Sequence, residues 1–150
     1  MKPIDLELIY PDLEDLEKWG PNKFQPMLES FGYEIKVRTD DSHDAYQGDT
    51  RVLFRNNNQW GILLFGWGTC PGCDFLKGVT SYINPYEELN HRRNYLHSQI
   101  RWRAATETLE WLRAKDWSAE IVYHSCEEAT EQFTADAISC LEQALKDDAK

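Results

Sequence analysis

The stretch RVLFRNNNQWGILLFGWGTCPGCD, residues 51–74, sets two apolar runs on either side of an asparagine-rich break and closes on a Cys-Pro-Gly-Cys turn. Asn56, Asn57, Asn58 and Gln59 predict a hairpin turn, because asparagine tolerates the positive φ of tight turns. The run Arg51–Arg55 reads as one strand. The run Trp60–Phe65 is apolar on both faces, which predicts a strand in the middle of a sheet.

Upstream, Tyr33, Ile35 and Val37 alternate with Glu34, Lys36 and Arg38, the period of a half-buried strand. Asp40–Asp49 reads as a polar loop. Three sequential strands joined in this way make an antiparallel meander, and Ala119–Tyr123 is expected to add a fourth. Asp12–Trp19 reads as a short helix with a capping aspartate, ended by Gly20-Pro21. Phe24, Leu28 and Phe31 line a second helix, closed by Gly32. Cys70 to about Tyr82 is expected to be a third. Asn84-Pro85-Tyr86-Glu87 is a start signal, with asparagine as cap, proline at the first position and glutamate reaching back. Leu89, Leu96, Ile100, Leu109 and Leu112 then carry a broken apolar stripe through two helices. Ser125 and Glu128 form a capping box, and Phe133, Ala137, Leu141 and Leu145 mark the buried face of the last helix. The expected fold is a single α+β domain over residues 1–150, an antiparallel three- to four-stranded meander packed against several α-helices.

A chain of 150 residues with 41% hydrophobic and 13% aromatic content is too apolar to be disordered. The net charge of -10, from 26 acidic and 16 basic residues, repels nucleic-acid phosphates and anionic lipid and favours a basic protein partner. No apolar run approaches the roughly 20 residues of a membrane span, and no signal-peptide pattern opens the sequence. The expected location is the cytoplasm. There the cysteines Cys70, Cys73, Cys126 and Cys140 are expected to be thiols or metal ligands rather than a disulfide framework.

Four roles suit the Cys70-Pro71-Gly72-Cys73 turn. It is a candidate redox pair, because a helix N-terminus favours thiolate, and the order strand, Trp67, C-x-x-C, helix is similar to the thioredoxin family. It is a candidate half of a zinc site, with His124 and Cys126 as the best second pair and His91 and His97 as alternatives. It is a rigid mount for an aromatic anchor, Trp67 or Trp60. Or it is a tight corner whose cysteines serve as small buried hydrophobes. No cofactor is required, and zinc is the one candidate.

The segments WGILLFGWGTCPGCD, IRW and KDWSAEIVYH, with EQF in the closing helix, resemble an uncharacterised family of small phage and bacterial proteins. Its hallmark is a G-S-C-S-G-C-D-type turn after an apolar strand, with Thr69 and Pro71 here replacing the two serines. The resemblance spans roughly residues 50 to 145 and implies an accessory protein rather than a housekeeping enzyme.

The acids recur in groups. Asp40, Asp41, Asp44 and Asp49 crowd one stretch, which lacks the order of a calcium loop. Glu127, Glu128 and Glu131 gather near the last helix. Such acids can imitate phosphate spacing and occupy a basic groove. Arg92, Arg93, Arg101 and Arg103 form a small basic island. The function expected from all this is a phage-type accessory protein that binds a basic protein surface, in its concrete form an inhibitor of a host defence system of the anti-CRISPR kind. It would act in the cytoplasm, that of the host if phage-encoded. The alternative is a structural zinc-binding or thiol-redox protein centred on Cys70 and Cys73.

Overall fold

In the computed structural model, which describes residues 5–42, 46–70, 74–114 and 127–149, strands β2 (Gln47–Asn56) and β3 (Gln59–Gly68) form the expected hairpin. Asn56 pairs with Gln59, so the turn is Asn57-Asn58, and Asn57 takes φ +57°. β1 (Glu34–Ser42) flanks β2, and β4 (Arg101–Ala104) flanks β3. The sheet is an antiparallel meander in the order β1-β2-β3-β4, and the fold is α+β. The Trp60–Phe65 run is apolar because both its faces are packed, and β4 pairs with it as far as Ile62.

The sheet is covered on both faces. Val52, Phe54, Leu63, Phe65 and Trp67 project to the first face, against the N-terminal segment and α3 (Pro85–Ser98). That segment comprises α1 (Leu6–Ile9), 3-10 turns at Leu13–Glu17 and Asn22–Phe24, and α2 (Gln25–Glu29). Leu53, Trp60, Ile62 and Leu64 project to the second face, against α4 (Ala105–Ala114) and α5 (Glu127–Asp148). Phe133, Ala137 and Leu141 of α5 are buried as the periodicity predicts, and Leu145 is half-buried.

Five expectations change. Tyr33, Ile35 and Val37 do not share a face. A bulge at Lys36 sets Ile35 opposite Phe54 and Val37 opposite Leu53, so Tyr33 and Ile35 join the first core and Val37 the second. Asp40 and Asp41 lie in β1 and Asp49 in β2, not in a loop. The Asp12-capped segment is a 3-10 turn rather than an α-helix, with the cap intact: the Asp12 carboxylate accepts from the Glu14 N–H at 3.0 Å. No α-helix spans the described residues 74–84; turns and one 3-10 turn at Val79–Ser81 stand there. The fourth strand is Arg-Trp-Arg-Ala at 101–104, inside the stretch read as helical. The expected strand at Ala119–Tyr123 and the cap at Ser125 lie outside the described residues.

Candidate functional site

The residues expected to carry function fall into separate places. Trp60 and Trp67 are 1% and 2% exposed, so neither offers a partner any surface. Trp60 packs in the second core, with the Arg55 guanidinium 5.0 Å from its ring centre. Trp67 meets Trp19 edge-on at 5.2 Å, and its indole N–H donates to the Thr50 hydroxyl at 3.1 Å. That hydroxyl donates to Asp40 Oδ1 at 2.6 Å, and Arg38 Nε donates to the same oxygen at 3.2 Å. Asp40 therefore ties the strands together. Asp41, one residue on, projects to the other face. Asp44 lies outside the described residues, and among those described no group of three or more acids, histidines or cysteines can hold a metal ion.

Cys70 is exposed at the end of β3 and is disulfide-bonded, with its partner outside the described residues. This corrects two expectations for Cys70: it is neither a small buried hydrophobe nor a free thiol. A disulfide sulfur offers zinc no thiolate, so Cys70 is no zinc ligand in this state. Cys73, His124 and Cys126 lie outside the described residues. His97 Nε2 and the Tyr33 hydroxyl share a hydrogen bond at 2.7 Å, and the imidazole packs between Phe31 and Tyr33. Burial, then the nearby Arg93 guanidinium, lowers its pKa. Cys140 is a free, half-buried thiol, pushed up by burial.

The described stretch from Asp74 to Lys77 is held by the Asp74 carboxylate. Asp74 Oδ1 accepts from the N–H groups of Leu76 and Lys77, and Oδ2 from Gly68 N–H at 3.1 Å and the Lys23 ammonium at 2.8 Å. Both side chains of this ion pair are almost fully buried. Lys23 also donates to the Leu16 carbonyl at 3.0 Å. Its pKa is lowered by desolvation, against the pull of Asp74. Glu17 then accepts from Gly78 N–H and the Thr80 hydroxyl. The stretch after the cysteines is in this way locked to the N-terminal segment.

The basic island divides. Arg93 is buried and donates to the hydroxyl and carbonyl of Ser30, while Arg92 donates to Glu88 and to the carbonyls of Phe75 and Lys77. Arg101 and Arg103 project to the opposite face of the sheet.

One grouping was not anticipated. The N-terminal segment lies against the start of α3, where the Tyr86 hydroxyl donates to the Tyr10 carbonyl at 2.6 Å. The phenol of Tyr86 is raised in pKa, first by desolvation and then by the carboxylates of Glu7, Asp12 and Asp5. Asp5 at the cap of α1, Glu7 within it and Asp12, two residues past Tyr10, are all exposed, and the segment that carries them meets the helix start that carries Glu87. Beside them Tyr82 is 48% and Ile83 97% exposed, at a shallow cleft of about 460 Å³ lined by Ser81, Tyr82, Ile83, Asn84, Glu87, Glu88 and His91. Leu8 on α1 is 80% exposed. Glu128 and Glu131, exposed on α5, belong to the other layer; the side chain of Glu127 lies outside what is described. The sequence signal for the grouping was present in the many acids of residues 5–17, but helix capping explained several of them locally.

Protein-family models, curated proteins and solved structures contain no match to this chain.

Proposed function

We propose that this chain acts by binding a basic protein surface and that its contact is the acidic face of Asp5, Glu7, Asp12 and Glu87. The observation that supports this most directly is the docking of the acidic N-terminal segment on the start of α3, through the bond from the Tyr86 hydroxyl to the Tyr10 carbonyl, at a helix start that also carries exposed apolar side chains. A net charge of -10 adds long-range attraction for a basic partner. The concrete form is an accessory inhibitor seated on the nucleic-acid groove of a host defence enzyme in the cytoplasm. That form rests on the resemblance of the cysteine turn and on the capacity of carboxylates to stand in for phosphates.

The test is binding of a labelled lysine- and arginine-rich peptide across a salt series. The wild type binds, with affinity falling steeply as salt rises. Combined Asp5→Lys, Glu7→Lys and Asp12→Lys lowers affinity by about tenfold or more, since each reversal replaces attraction with repulsion. Glu128→Lys with Glu131→Lys leaves it nearly unchanged. Salt-insensitive binding, or a triple variant equal to wild type, refutes the reading.

A second reading is supported by one observation, the exposed disulfide at Cys70. Exposed disulfides are the ones open to exchange with cellular thiols. On this reading Cys70 cycles between its disulfide and its thiol, with a cellular thiol as the reductant. Peptide mapping by mass spectrometry with and without a thiol reductant identifies the bonded partner and shows whether the bond opens under mild reduction. A bond that resists a glutathione buffer rules this reading out.

A further inference from the structure

The corner between the Val79–Ser81 turn and α3 carries the most exposed large apolar side chain among the described residues, Ile83 at 97%, beside the half-exposed Tyr82. A single exposed apolar residue is ordinary, but two adjacent ones at the mouth of a cleft form a place to bury a partner's side chain. The corner is firmly mounted. Tyr82 N–H donates to the Val79 carbonyl at 3.2 Å, and the Ser81 hydroxyl donates to the Gly78 carbonyl at 2.7 Å. Arg92 reaches across from α3, with its guanidinium 5.6 Å from the Tyr82 ring centre. The same guanidinium is bonded to Glu88 and to the Phe75 and Lys77 carbonyls, so its charge is paired and its position fixed. A mount of this kind needs little ordering when it binds.

The surroundings select the occupant by charge. Glu87 is exposed on the cleft wall, and the neighbouring Tyr86 is bonded to Tyr10 of the segment that carries the exposed Asp5, Glu7 and Asp12. A second copy of this chain brings another net charge of -10 to the same place, and an anionic membrane is likewise repelled. A segment with Lys or Arg on either side of one apolar residue meets both features at once. We infer that the Tyr82–Ile83 cleft receives the apolar anchor of a basic segment, while the acidic face pairs with the flanking Lys and Arg residues. This rests on the proposed function and adds the source of its specificity: charge brings the partner in, and the anchor decides which basic segment stays.

The experiment uses two labelled 12-residue peptides of alternating Lys and Arg, one with a central leucine and one with serine in its place. Fluorescence anisotropy is recorded for the whole chain and for Ile83→Ser across a salt series. Wild type is expected to prefer the leucine peptide by about tenfold, the scale of burying one such side chain. Ile83→Ser is expected to lose that preference while keeping the salt dependence, and Tyr82→Ala to behave in the same way. Ile83 lies almost wholly in solvent, so its replacement leaves the fold intact, which circular dichroism verifies. Equal binding of both peptides by wild type, with a steep salt dependence, overturns the anchor and leaves the acidic face standing. A preference that survives Ile83→Ser also overturns it. Binding of neither peptide overturns both.

Discussion

Asp74 holds two amide groups of its own turn, the end of β3 and the buried Lys23 ammonium. Asp74→Asn keeps the shape but leaves Lys23 charged and unpaired in the interior, so a loss of about 3–5 kcal/mol is expected from urea unfolding. Adding Lys23→Met removes the stranded charge and should restore a good part of that loss; a double variant weaker than the single one would deny the pair its role. His97 gives a second residue-scale prediction. Its folded pKa is lowered, so the unfolded chain takes up a proton first, and stability must fall as pH drops through the ordinary histidine value of about 6.5. His97→Gln should flatten that part of the stability curve, and an undiminished slope between about pH 7 and pH 5.5 would assign it to other groups. Neither role was legible in the sequence. Asp74 has no local signal of its role, because its partner Lys23 is 51 positions away in the chain (74 minus 23).

At the scale of elements, the hairpin was legible because its signals are local: an asparagine turn and a doubly apolar strand. β4 was not. Four residues of alternation, Arg-Trp-Arg-Ala, fit a strand or a gap between helices equally well, and the choice is made by pairing, since Ile62 and Trp60 of β3 present an open edge to Arg101 and Arg103. The bulge at Lys36 was equally silent, because strict alternation in sequence implies one face and only the ladder shows the slip. Two glycines record how tightly these strands are packed. A Cβ at Gly48 would enter the Trp67 ring and the Asp41 carbonyl, and one at Gly61 would run into Ile100 and Trp102. Gly48→Ala is expected to destabilise by at least about 1–3 kcal/mol, because a backbone carbonyl cannot yield as a side chain can. Gly61→Ala should cost less, its neighbours being side chains. Thermal unfolding of the two variants checks the order, and a harmless Gly48→Ala would show that the first face is looser than its packing implies.

At the scale of the molecule, two helical layers enclose one small sheet, and this decides which sequence features can meet a partner. Trp60 and Trp67 are spent in the two cores. The exposed acids lie on two layers: those of residues 5–12 with the start of α3 on one, and Glu128 and Glu131 of α5 on the other. Which acids share a face depends on long-range packing, so composition alone could give the sign of the charge but not its address. The most direct test of the account is an amide chemical-shift map of the whole chain titrated with the leucine-centred basic peptide. Shifts are expected to concentrate at residues 5–17 and 79–91, with the first turns of α5 undisturbed. Shifts centred on residues 127–131, or spread evenly over the surface, would contradict it.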